Sequence, residues 1–76
     1  MDTIGERIKE LRNKNELTQE ELGKKINVGK TTISNYENNY SKPNCEALIK
    51  LANTLDTTTD YLLGRSITQK GGNNNG

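Results

Sequence analysis

The apolar residues of this chain fall in short stripes, most of them recurring three or four positions apart, and nowhere do they alternate at a spacing of two. That pattern constrains the fold more than any other feature, because a period near 3.6 makes one face of a helix whereas a strand needs a period of two. Ile4, Ile8 and Leu11 form a first stripe, Leu22 and Ile26 a second, and Ile33 with Tyr36 a third. Leu48, Leu51, Ala52 and Leu55 form a fourth, and Tyr61, Leu62 and Leu63 a short fifth. No hairpin signal and no internal repeat interrupts them. The expected fold class is all-α. With only 29% hydrophobic residues in 76, the core is thin, and a single domain of this size is marginally stable.

Capping chemistry marks where the helices begin and stop. Thr3-x-x-Glu6 and Thr18-x-x-Glu21 are capping boxes, in which each end of the motif satisfies a helix N–H of the other. Asn13-Lys14-Asn15 closes the first segment. The third runs from about Lys30 to Asn38, and Pro43-Asn44 then forbids continuation and supplies a cap for a fourth, Cys45 to Leu55. The fifth follows Thr57 or Thr58 and ends at Gly64. From Ser66 the periodicity is lost, and the chain closes on Gly71-Gly72-Asn73-Asn74-Asn75-Gly76. Residues 1–65 are therefore expected as one domain and 66–76 as a flexible tail or a truncated linker.

The second and third segments are joined by Ile26-Asn27-Val28-Gly29. A turn this short lets two helices pack nearly perpendicular, so that the later one protrudes. Asn27 stands where such a turn needs a left-handed residue. Gly23, which costs a helix about 1 kcal/mol relative to Ala, is explained if the third helix must approach closely there. Leu22, Ile26, Val28 and Ile33 would form the wedge that sets the angle. At about 100° per residue, Lys30, Thr31, Ser34, Asn35 and Asn38 share one arc of roughly 140°, opposite Ile33 and Tyr36. An ammonium, hydroxyls and amides on one face are groups that can address base edges and phosphates. An ordinary solvated helix face has the same composition.

Charge adds a little. The net charge is +1, but between Lys24 and Lys42 four lysines (24, 25, 30 and 42) face one acid, Glu37, a modest positive stretch of the kind that meets phosphates. Enzymatic function finds no support. Histidine is absent, which removes the commonest general base and metal ligand. Ser34, Ser41 and Ser66 have no evident base partner, and there is no Gly-rich phosphate loop of GxxxxGK type. No metal-ligand cluster is present, and Cys45, the single cysteine, reads as a small helix residue with no intrachain disulfide available to it. No cofactor and no small-molecule substrate is expected. No apolar run reaches membrane-spanning length, and Met1 to Glu6 lack the features of a signal peptide. A cytoplasmic, nucleoid-associated protein is the expectation.

Taken in order, Ile8-Lys9-Glu10-Leu11-Arg12, Leu17-Thr18-Gln19-Glu20-Glu21-Leu22-Gly23, Ile33-Ser34-Asn35-Tyr36-Glu37-Asn38 and Lys42-Pro43 resemble the Cro/repressor-type helix-turn-helix of the XRE family. Leu48-Ile49-Lys50-Leu51-Ala52 and Tyr61-Leu62-Leu63-Gly64 continue the match. The resemblance covers about Ile4 to Gly64 and implies a compact five-helix, lambda-repressor-like domain with the helix-turn-helix at about 18–38. It implies sequence-specific binding of double-stranded DNA and a role in transcription regulation, as a repressor. The alternative is a protein-interaction module on the same fold within a larger regulator. By the same resemblance Gln19 touches phosphate and a base, while Lys30, Thr31 and Asn35 read bases. Ser34, Asn38, Tyr40 and Lys42 hold phosphates, and Arg12 pairs with Glu37 as scaffold. A homodimer on a palindromic operator is implied, with Tyr61 and Leu63 as candidates for its surface and core packing the stronger expectation for Leu63. The chain departs from the family pattern at Gly29, where a Ser or Thr cap is common, and at Asn27 and Asn39, where glycine is frequent.

Overall fold

The structure, a computed structural model, describes residues 3–65; the tail expected over 66–76 lies outside the described residues. Five helices follow one another: α1 (Ile4–Lys14), α2 (Gln19–Ile26), α3 (Lys30–Glu37), α4 (Cys45–Thr54) and α5 (Thr59–Leu62), with no strand among the described residues. Each of four helices opens on a side-chain cap that satisfies an N–H the helix itself cannot. The Thr3 hydroxyl accepts from the Glu6 N–H at 3.1 Å while the Glu6 carboxylate accepts from the Thr3 N–H at 2.9 Å. Thr18 and Glu21 repeat the arrangement at 3.0 and 2.8 Å. Asn44 Oδ1 accepts from the Ala47 N–H at 2.8 Å, and Thr58, not Thr57, caps α5 by accepting from the Tyr61 N–H at 3.0 Å. α3 alone starts without a side-chain cap, at Gly29.

The segments between helices are short because single left-handed residues reverse the chain. Asn27 (φ 67°) occupies that region as expected; Glu16 (φ 59°), Asn39 (φ 62°) and Asp56 (φ 57°) adopt it too, as does Gly64 (φ 81°) after α5. Ile8, Leu22, Ile33, Leu51, Leu55 and Leu62 are the large side chains buried most completely, one or two from every helix or its C-cap, with Leu11, Ile26, Tyr36, Leu48, Ala52 and Tyr61 completing the core. Ile4, Leu17 and Val28 pack on its edge.

α3 lies between α1 and α2, α2 also packs on α4, and α5 closes the bundle against α4 and α1. Two glycines permit these approaches. A Cβ at Gly5 would stand 2.5 Å from the carbonyl oxygens of Tyr36 and Glu37, so α1 sits directly on the C-terminal turn of α3. At Gly23 the close neighbours are the Val28 carbonyl, at 2.6 Å, and the Gly29 backbone. The approach there is thus made by the turn leading into α3, a correction to the expectation that the helix itself makes it. A second correction concerns Leu63. α5 is a single turn ending at Leu62, so Leu63 falls beyond it and is half exposed while Tyr61 and Leu62 take the buried positions. No helix among the described residues is long and apolar enough to cross a membrane.

Candidate nucleic-acid interface

The turn between α2 and α3 is built by its backbone. Asn27 adopts φ 67°, ψ 41°, and its N–H turns back to the carbonyls of Gly23 and Lys24, ending α2. The Val28 N–H then donates to the Gly23 carbonyl at 2.8 Å. This 6→1 bond, with the Asn27 N–H on the Lys24 carbonyl as its 5→2 companion, closes α2 and redirects the chain within two residues. Leu22, Ile26 and Ile33, all buried, fix the angle from inside, with Val28 partly covering them.

That arrangement divides α3 into two faces. Ile33, Tyr36 and Glu37 are buried. Lys30, Thr31 and Asn38 are exposed and Ser34 and Asn35 half-buried on the outer side, and the side chains of Lys30, Thr31 and Asn35 have no hydrogen-bond or ion-pair partner among the described residues. Asn38 differs, since its amide nitrogen donates to the Ser34 carbonyl at 3.0 Å and to the Ser34 hydroxyl at 3.3 Å. Beyond α3 the loop folds back on the helix end, with the N–H groups of Tyr40 and Ser41 both donating to the Asn35 carbonyl. Tyr40, 80% exposed, projects from this loop beside the exposed Lys42. Lys24 and Lys25, in the last turn of α2, are exposed as well.

Behind the outer face lies a buried polar network. The Arg12 guanidinium donates through Nε to Glu37 Oε2 at 2.5 Å and through Nη2 to Oε1 at 3.2 Å, while Nη1 donates to the Leu17 carbonyl at 2.7 Å. Arg12 and Glu37 are 9% and 6% exposed, so this two-pronged, charge-assisted pair operates out of water, where an unpaired charge is costly. It ties α1 to the end of α3 and, through Leu17, to the entrance of α2. Sequence reasoning did not anticipate a third member: Gln19 Nε2 donates to Glu37 Oε1 at 3.0 Å. Nor did it anticipate Asn39, whose Oδ1 accepts from the Gly5 N–H at 3.1 Å and whose Nδ2 donates to the Thr3 hydroxyl at 2.9 Å. The left-handed turn at Asn39 places an amide where a glycine has no side chain, and that amide fastens the start of α1 to the end of α3.

The groups on the outer face are neutral amides and hydroxyls flanked by lysines, suited to binding and devoid of a nucleophile–base pair. Among the described residues no group of three or more His, Cys, Asp or Glu side chains is placed to hold a metal ion. Cys45 is a free, exposed thiol at the first position of α4.

Comparison with known proteins converges on the same architecture. Residues 8–62 match the family model described as helix-turn-helix. The HTH-type transcriptional regulator ImmR of Bacillus subtilis is 43% identical over 68 residues, which cover 90% of this chain and 54% of that protein. The chain thus spans about half the length of the curated relatives it matches. Among solved structures, the P22 c2 repressor in complex with a synthetic operator superposes with a TM-score of 0.83 at 36% identity, over 87% of this chain and 100% of that one. SinR, the master regulator for biofilm formation, in complex with DNA, gives a TM-score of 0.74 at 33% identity, over 79% and 97%. The fold, the family match over 8–62 and the identities agree, and the chain belongs to the helix-turn-helix family, in its Cro/repressor (XRE) branch.

Proposed function

We propose that the chain is the DNA-binding domain of a transcriptional repressor, and that α3 enters the major groove. The observation that carries this reading is the division of α3. Its inner face is locked by Ile33, Tyr36 and the Arg12–Glu37 pair, while Lys30, Thr31 and Asn35 on the outer face are left without internal partners. A rigid helix whose outer polar groups have no partner within the protein suits base-edge recognition, because those groups exchange water for base edges without first breaking an internal bond. Asn35 is matched to adenine, Lys30 to the guanine acceptors, and the Thr31 methyl to a thymine methyl. Ser34, Tyr40 and Lys42 hold phosphates, which set the register of α3 without reading sequence. Asn38 joins them only by giving up its bonds to Ser34.

The likeness to repressors seen on operator DNA supports this assignment. One copy presents few base contacts, so a homodimer on a palindromic site is part of the proposal, with half-sites about 34 Å apart. Action on chromosomal DNA places the protein in the bacterial cytoplasm. The test is selection from a random duplex pool at two salt concentrations, with Asn35→Ala in parallel and a second arm in which the chain is fused to a dimerising helix. A salt-sensitive palindrome, relaxed by Asn35→Ala at one symmetric position, supports the reading. Enrichment that Asn35→Ala leaves unchanged moves base reading off this face. No enrichment in either arm rejects DNA binding and leaves a protein-interaction module on the same fold.

A further inference from the structure

Glu37 does two things with its two oxygens. Oε2 and Oε1 both accept from Arg12, and Oε1 also accepts from Gln19 Nε2 at 3.0 Å. The Glu37 side chain is 2% exposed, so the carboxylate cannot itself meet a partner outside the protein. Gln19 can: it is the first residue of α2, only half-buried, and it bridges the buried carboxylate to the surface. A carboxylate accepts and never donates, so it admits the Gln19 amide in one orientation, with nitrogen inward. One amide N–H is thereby fixed on Glu37 and the other is left to donate elsewhere. The group best matched to it is an acceptor, such as the oxygen of an anion.

We infer that Glu37 is a positioning residue for DNA binding as well as a scaffold charge, orienting the Gln19 amide so that its remaining N–H donates to a backbone phosphate. This rests on the DNA-binding reading above. The contact has a fixed direction before DNA arrives, and the conformational cost of ordering a surface glutamine is met within the protein. A phosphate contact is also independent of sequence, so its test does not require the operator.

Removing Glu37 alone strands Arg12 and can unfold the domain. The test therefore uses Arg12→Met/Glu37→Met, which replaces the pair by apolar side chains of similar length, as the background without a carboxylate. Gln19→Met is made in the natural chain and in that background. Binding to a mixed-sequence duplex of about 20 base pairs at low salt is measured for all four proteins, the duplex being long enough for the footprint of one or two domains. The expected result is an affinity loss of about tenfold for Gln19→Met in the natural chain, the worth of one well-oriented hydrogen bond, and less than about threefold in the apolar background. Equal losses in both backgrounds make Glu37 purely structural and overturn the inference. Absence of any duplex binding by the natural chain overturns it too, together with the DNA-binding reading, whereas binding with equal losses rejects the inference alone. An independent readout needs no DNA and no folded background: in the natural chain one of the two Gln19 side-chain N–H resonances is expected to be displaced and slowed in exchange. Two free-amide resonances would show that the link to Glu37 does not persist in solution and would equally reject the inference.

Discussion

Glu37 shows how much one side chain can hold in so small a protein. It ends α3, accepts three hydrogen bonds from Arg12 and Gln19, and connects α1, α2 and α3 at one buried point. Every buried side-chain nitrogen and oxygen among the described residues has a partner, so deleting one member of this network creates a defect where none existed. Glu37→Ala is expected to destabilise the domain by ~3–5 kcal/mol, most of it the cost of leaving the Arg12 guanidinium buried and unpaired. Urea denaturation followed by circular dichroism measures it, and a midpoint within error of the natural chain would remove the pair from the list of things that hold the fold. Arg12→Met/Glu37→Met should recover most of the loss, because no charge is then stranded. The pairing of Arg12 with Glu37 was legible in the sequence only through family resemblance, since 25 residues separate them and no local pattern links them. The Gln19 and Asn39 contacts were not legible at all. An amide shows its hydrogen-bonding capacity in sequence, but its partner is decided by where tertiary packing puts the neighbouring backbone.

The helices themselves were legible to within a residue or two, because their ends are local chemistry. Thr3, Thr18 and Asn44 cap the helices that their motifs announce, and the buried positions follow the three- and four-residue spacing from Ile8 to Leu62. What escaped was where the chain turns on residues other than glycine and asparagine. Glu16 and Asp56 adopt φ 59° and 57° because the helices on either side are anchored and the connecting turn must comply. Two predictions belong to this scale. Gly5→Ala puts a methyl 2.5 Å from two carbonyl oxygens of α3, and backbone atoms cannot swing aside as a side chain would. It should cost about 1–3 kcal/mol in thermal or urea melts, despite the higher helix propensity of alanine; a neutral or stabilising effect would mean that α1 does not dock on α3 as closely as described. Gly29→Ser tests the opposite case. The Gly29 backbone is extended at φ −82°, nothing lies within 4 Å of a Cβ there, and α3 has no side-chain cap. Serine should add the missing bond and stabilise by on the order of a few tenths of a kcal/mol, seen as a small rise in the urea midpoint. A fall would show that the open space at Gly29 is not available to a side chain.

At the scale of the molecule, the net charge of +1 provides almost no long-range attraction to a polyanion, so affinity for DNA has to come from cations set at the interface. Lys30 opens α3 and Lys42 lies in the exposed loop after it, and both should displace condensed counterions from the duplex, Lys42 at a phosphate and Lys30 by carrying its charge into the groove whose base edge it reads. Each such contact contributes a slope of about −0.9 to the logarithm of the binding constant against the logarithm of salt, which gives about −1.8 for one bound copy and twice that for two. Lys42→Ala is expected to flatten the slope by about 0.9 per copy while lowering affinity for every sequence alike, as a phosphate contact does. Asn35→Ala is expected to do the reverse. It carries no charge, so the slope should hold, while discrimination at one base position falls by about 1–3 kcal/mol. Titrating a selected duplex and a scrambled one at four or five salt concentrations separates the two behaviours. A Lys42→Ala slope equal to that of the natural chain would take Lys42 off the backbone. A natural slope much steeper than −1.8 per copy would bring Lys24 and Lys25, exposed at the end of α2, into the same contact surface.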